Sequence, residues 1–217
     1  MKVYNKWTNK SFDMLLQLLH DVIPNGESLP KTYYDANKYL RGLGMGYHNI
    51  HACKYDCCLF WGSNKHLTYC PTCGTFRYKT SSGSKKSIPR KVLRYFLIKP
   101  RLQHLFMNPK IAQKMHWHKE EHKTQENIMG HPSDGLSWIN FDIEFPDFAK
   151  DSRNMRLGLA SDGFNPFGAM SQSYSMWPVV LLTYNLPPWK CMKKEYFMMA
   201  LLIPGPTAPG KEIDIYM

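Results

Sequence analysis

No stretch of this 217-residue chain approaches the roughly 20 uninterrupted apolar residues that a bilayer span needs, and the longest candidate, residues 196–204, falls far short. A helical membrane anchor is excluded, and a soluble protein is expected. Cysteine is sparse, with six residues, and no apolar leader segment opens the sequence. A secreted disulfide framework is therefore not expected. No Gly-x-Ser-x-Gly elbow occurs, which removes the commonest serine-nucleophile arrangement. The run Gly205-Pro-Thr-Ala-Pro-Gly210-Lys211 imitates a phosphate-binding loop, but Glu212 stands where a Ser or Thr should meet magnesium. Pro206 and Pro209 also lack the amide donors that would cradle phosphate, so no nucleotide cofactor is expected.

Acidic residues are scarce too, 17 against 28 Lys and Arg, and the imbalance is local. Between Arg77 and Lys123 there are thirteen basic residues against Glu120 and Glu121 alone, while the remainder carries fifteen of each sign. Tyr78, Tyr95, Phe96, Phe106 and Trp117 are interleaved with the basic residues. Phosphate backbones attract such a block through counterion release, and aromatic rings stack on exposed bases. DNA is the expected partner, with Arg77, Lys79, Lys85, Lys86, Arg90, Lys91, Arg94, Lys99 and Arg101 as contacts. The alternative is a solvated face. Lys85, Lys86, Arg90 and Lys91 also form a weak import signal, which fits a nuclear location.

What the chain has, directly before that block, is Cys53-x3-Cys57 and Cys70-Pro71-Thr72-Cys73-Gly74. Two close thiol pairs across a twelve-residue loop present a tetrahedral thiolate set to one zinc ion. Gly74 allows the tight turn that points both sulfurs of its pair at one centre. Cys58 could replace Cys57, and His51 and His66 are rival ligands. Cys191, beside Pro and Trp, reads as a small packed hydrophobe. His116, His118 and His122 lie on a polar helix without a paired carboxylate and read as solvent-facing rather than ligating.

The pattern divides the chain at 1–49, 50–79, 80–130 and 131–217. In the first segment, Leu15, Leu16, Leu18 and Leu19 predict a helix over 11–20 stopped by Pro24-Asn25-Gly26. A second helix is expected over 31–41 with Gly42 as its stop. The cysteine segment needs only short strands near 59–61 and 75–78. Residues 80–87 read as a flexible Ser/Gly/Lys linker. Residues 91–114 read as a basic, amphipathic helical region interrupted by Pro100 and Pro109. After the turn at 131–135, Trp138, Phe141, Phe145 and Phe148 recur at helical spacing. Three consecutive antiparallel strands follow at 155–161, 176–183 and 196–203, with no helical pattern between them. The fold class is α+β.

Asp162 stands where the first of these strands gives way to a Gly, Asn and Pro turn. A carboxylate there is held by a rigid strand yet exposed at its lip, as a magnesium ligand is, although a turn-forming role is the commoner one.

The strings Arg156-Leu-Gly-Leu-Ala-Ser-Asp-Gly-Phe-Asn-Pro-Phe-Gly168, Ser173-Tyr-Ser-Met-Trp-Pro-Val-Val180, Tyr184-Asn-Leu-Pro-Pro-Trp189 and Leu201-Leu-Ile-Pro-Gly-Pro206 resemble the transposases of plant CACTA (En/Spm) elements. So do Ser11-Phe-Asp-Met-Leu-Leu16, Leu29-Pro30, Tyr34, Gly46-Tyr47, Ile50-His51-Ala52-Cys53 and Cys70-Pro-Thr-Cys-Gly74. The resemblance implies a zinc-ribbon-like module on Cys53, Cys57, Cys70 and Cys73. It also implies an RNase H-like catalytic part whose first acidic residue is Asp162. Such enzymes cut and join DNA with two magnesium or manganese ions, which requires further carboxylates converging on the same point. The family places these after the third strand, so the sheet is expected to be incomplete here and the chain alone inactive. Glu212 and Asp214 are poor substitutes. The implied partners are DNA, in particular element ends, and either a second copy or another transposon protein. The competing reading is a non-catalytic zinc-dependent DNA-binding or protein-interaction remnant.

Overall fold

A computed structural model describes residues 6–79, 87–125, 128–168 and 173–217. The chain divides into two compact units, 1–47 and 48–217. The expected linker over 80–87, with Lys85 and Lys86, lies outside the described residues except for its last position.

The first unit is a helical pair. Helix α1 (Asn9–Val22) begins at Thr8, whose Oγ1 accepts from the Ser11 amide at 3.1 Å. Asn25, in the left-handed region at φ 62°, turns the chain after it. Helix α2 (Tyr33–Gly42) starts at Thr32, whose Oγ1 accepts from the Asp35 amide at 3.1 Å. Asp13 on α1 accepts from the Tyr33 amide at 2.6 Å, which ties the two helices at that end. Gly42 is the last helical residue rather than the stop. The reversal falls on Gly44 at φ 74°, where the Gly44 amide bonds Arg41 O and the Met45 amide bonds Leu40 O. This is the paired-bond ending that left-handed glycine permits.

The second unit is built on a five-stranded sheet, not three strands. Its strands are β1 (Tyr47–Ala52), β2 (Lys91–Phe96), β3 (Leu157–Ser161), β4 (Trp177–Thr183) and β5 (Met198–Ile203), in the order β1-β2-β5-β4-β3. The three expected strands are present, and β3–β4 and β4–β5 are antiparallel, with a bulge between Val179 and Val180. The two additional strands come from before residue 131, and β2 joins β5 antiparallel at Tyr95↔Leu201. The segment 91–96 is therefore a strand, where a helix was expected.

Helix α3 (Ile98–Met107) follows β2, then α4 (Pro109–Lys114) and α5 (Trp117–Glu120). Neither proline interrupts a helix. Pro100 lies in the first turn of α3 and Pro109 opens α4, positions whose amides have no intrahelical partner. Helices α6 (Leu136–Glu144) and α7 (Pro146–Lys150) carry the aromatic series 138–148. A one-turn helix α8 (Pro188–Cys191) and a 3₁₀ turn at Lys194–Tyr196 separate β4 from β5, so that connection is not free of helix.

Ile50, Ala52, Leu93, Val179, Ile203 and Tyr216 form one core cluster, joining β1, β2, β4, β5 and the C-terminal 3₁₀ turn. Ile98, Leu102 and Leu105 of α3 pack on Leu181, Met198 and Ala200. Buried Asn185, just after β4, accepts from the Arg156 amide at 2.8 Å and donates to Asn154 O at 3.0 Å. That amide side chain fixes where β3 begins, and hence where it ends.

Candidate metal centre and the acidic strand end

Each cysteine pair is folded into its own tight loop. The Cys53 amide bonds Cys58 O at 2.9 Å, and the Cys70 amide bonds Thr75 O at 2.9 Å. Gly74 adopts φ 67°, the left-handed conformation its turn demands, and its amide returns to Cys70 O at 2.9 Å. The strand positions expected on either side reduce to single bridges, Ala52↔Leu59, Tyr69↔Phe76 and Tyr78↔Pro89. So little sheet cannot hold two loops together alone.

The ligand atoms of Cys53, Cys57, Cys70 and Cys73 all lie within 4.8 Å of one another, and Cys53 Sγ is 3.5 Å from Cys73 Sγ. Sulfurs about 2.3 Å from a common tetrahedral centre stand about 3.8 Å apart, so this set can bind one metal ion. Cys53 and Cys70 are buried, Cys57 is half-buried and Cys73 is exposed. Burial pushes the Cys53 thiol up, whereas the Thr75 hydroxyl and amide draw Cys73 down to about 6. A shared cation would settle all four as thiolates, because a metal-bound thiol gives up its proton.

The alternatives separate cleanly. Cys58 is outside the converging four, and burial pushes its thiol up to about 12. His51 Nδ1 accepts from Arg77 Nε at 2.8 Å, with burial first and the Arg77 charge second lowering its pKa. His66 is exposed and stands apart from the set. Among the described residues, the four cysteines are the only group of three or more potential ligands that converges.

One residue of this region escaped sequence reasoning. Asp56 lies inside the first cysteine loop at φ 61°, is buried, and accepts from Lys91 Nζ at 2.5 Å and from the Tyr216 hydroxyl. It joins the cysteine loop to β2 and to the C-terminal turn. A lone acid inside a thiol loop is the only sequence trace, and nothing local names its partners.

The basic residues are divided by the fold. Arg77 is held within the protein: besides His51 it donates to Lys65 O at 2.8 Å and Leu67 O at 3.0 Å, and it stacks over Phe60. Lys91 is buried against Asp56, and half-buried Arg90 donates to Phe76 O at 3.0 Å. Arg101 is half-buried over the Phe96 ring. Lys79, Arg94 and Lys99 are exposed.

Asp162 sits immediately past the end of β3, exposed, its Oδ1 accepting from the adjacent Gly163 amide at 2.7 Å. Among the described residues, strand β3 is the last in the sheet order and pairs with β4 alone. Glu212 and Asp214 belong to the 3₁₀ turn at Gly210–Ile215.

Of the three histidines expected to face solvent, His118 is half-buried beside the Trp138 ring, and the other two are drawn into polar contacts. His122 Nε2 lies 2.7 Å from Asp134 Oδ1, and His116 Nδ1 lies 2.6 Å from Ser152 Oγ. Asp134 also accepts from Thr124 at 2.9 Å and from the Gly130 and His131 amides. Burial by itself would raise this carboxyl, but the His122, Thr124 and His131 bonds outweigh it and hold Asp134 at about 2. Beside this network, the Arg156 guanidinium lies over the Trp138 and Phe141 rings and is paired with Asp142.

Residues 126–217 match the family model described as Transposase family tnp2. The match spans fewer than half of the residues, takes in α6, α7, all of β3–β5 and Asp162, and supports a transposase-like function for this part. Neither a curated protein nor a solved structure matches the chain significantly.

Proposed function

We propose that the chain is the zinc- and DNA-binding part of a CACTA (En/Spm)-type DNA transposase acting in the nucleus, with its 131–217 segment the opening of an RNase H-like catalytic domain. The observation that carries this reading is that the family match covers the strand whose end bears Asp162. Zinc on Cys53, Cys57, Cys70 and Cys73 would clasp the two loops, because thiolate ligands favour it and the surrounding sheet is minimal. Lys79, Arg94 and Lys99, exposed on the block beyond the thiols, are the proposed phosphate contacts, with Lys85 and Lys86 as further candidates.

Asp162 is the proposed first ligand of a magnesium or manganese ion. A two-ion centre activates the attacking oxygen and stabilises the leaving one, and needs at least two more carboxylates beside it. No set of three potential ligands forms at Asp162 among the described residues. The isolated chain is therefore expected to bind DNA without cutting it. That geometry also favours the second reading, a non-catalytic DNA-binding remnant.

Purified chain should contain one zinc and bind duplex DNA with an affinity that falls steeply with salt. Lys99→Glu and Arg94→Glu should each lower the log–log salt slope by about 1. Salt-independent or absent binding at physiological ionic strength would favour a protein-interaction module. Cleavage or strand transfer with magnesium or manganese that disappears on Asp162→Ala would establish a complete enzyme and overturn the inactive reading.

A further inference from the structure

A tetrahedral ion uses four sulfurs, and this cluster contains five. Cys58 Sγ lies 3.6 Å from Cys70 Sγ, buried in the same small core with Phe60, while Cys53 Sγ lies 3.5 Å from Cys73 Sγ. Both pairs run from the first loop to the second. Such separations are close to sulfur–sulfur contact, so a bond of about 2.05 Å needs only a short approach of each pair. The four sulfurs are reached from outside at Cys73, the exposed member. The sixth cysteine, Cys191, belongs to a separate core cluster with Met115 and Leu186.

We propose that the five-thiol cluster is a reversible oxidation site at which hydrogen peroxide replaces the bound ion with two disulfides, Cys53–Cys73 and Cys58–Cys70. The inference rests on the zinc reading above. In the first step the Cys73 sulfur attacks one peroxide oxygen; an S–O bond forms, the O–O bond breaks, and the other oxygen leaves as water once protonated. Cys53 then attacks the sulfenic sulfur, forming S–S and releasing the second oxygen as water. With two ligands gone, the ion departs. A second peroxide acts in the same way on Cys70, and Cys58 resolves it. Four thiols and two peroxides give two disulfides and four waters, leaving Cys57 as a thiol. Cys58 thus acts as the resolving thiol that keeps Cys70 from passing to the irreversible sulfinic acid. The oxidised module keeps its two loops tied without metal.

The test is peptide mapping of the full zinc-loaded chain after two equivalents of hydrogen peroxide and alkylation, with zinc release followed by a chromogenic chelator. Cross-linked fragments containing Cys58–Cys70 and Cys53–Cys73 are expected, with Cys57 and Cys191 alkylated and zinc binding fully restored by dithiothreitol plus zinc. Cys58→Ser should still bind one zinc but, after three equivalents of hydrogen peroxide (one for Cys53–Cys73 and two to carry Cys70 through the sulfenic to the sulfinic acid), recover less than half of it, with Cys70 found as sulfinic acid. Full alkylation of Cys58 after zinc release, or Cys70 joined to another partner, overturns the proposal. If Cys58→Ser does not fold, the wild-type map decides alone. A chain isolated without zinc defeats the metal reading, and its own peroxide map still decides whether Cys58 and Cys70 pair.

Discussion

Lys91 Nζ lies 2.5 Å from Asp56 Oδ1, with both side chains more than nine-tenths withdrawn from water. Removing one partner strands the other charge, which typically costs about 3–5 kcal/mol. Asp56→Ala should therefore lower unfolding stability by about that much, whereas Asp56→Asn combined with Lys91→Met should recover most of it. Urea titrations of the proteins with zinc supplied in the buffer measure this. A single variant within about 0.5 kcal/mol of the parent, the range of an ordinary surface change, would show that the pair is structurally idle.

Stripping the metal should be felt beyond the thiols. Asp56 sits between Cys53 and Cys57, two of the four converging thiols, and also holds the Tyr216 hydroxyl. With a strong chelator present, amide exchange should therefore accelerate together in 53–60, 70–78 and 213–217, while α6 keeps its protection. Acceleration confined to the two loops would show that the C-terminal turn is fastened independently.

Gly158 marks a second crowded point. A Cβ there would stand 2.2 Å from the Tyr184 ring, far inside contact distance. Gly158→Ala should cost about 1–3 kcal/mol by overpacking. Adding Tyr184→Ala should return part of that loss, and Tyr184→Phe should not, because the ring carbon itself is in the way. Thermal midpoints of the four proteins would show whether the two positions couple.

Asp134 sets an acid limb. Its carboxyl is held at about 2, below the ordinary carboxylate value near 4 found in an unfolded chain. A lowered native pKa contributes stability that is fully present above pH 4 and fades as the pH falls towards 2. The stability gap between the parent and Asp134→Asn should therefore be widest at neutral pH and shrink across that window. A constant gap from pH 6 to pH 2 would mean that the His122 and Thr124 contacts do not favour the ionised form.

The sequence exposes the features with local cause. Two thiol pairs at close spacing name a converging set, Gly74 announces its own turn, and the apolar runs ending at Ser161, Thr183 and Ile203 are strands bounded by Gly, Asn and Pro breakers. Strand β2 was hidden because its inward position 91 is a lysine. Its neutralising partner lies 35 residues earlier, so the alternation of buried and exposed side chains reads as a broken helical stripe. Asp56 and the His122–Asp134 pair were missed for the same reason. Their meaning resides in partners that only the folded chain brings near, and no spacing rule encodes them.

Strand β3 is hydrogen-bonded on one side only, among the described residues, and Asp162 crowns its tip. An uncovered strand margin accepts any extended backbone of suitable register. A polypeptide that zips onto it brings its own side chains level with that carboxylate. Under the proposed transposase reading, a strand added there that carries carboxylates would extend the sheet and bring further ligands beside Asp162 in a single event.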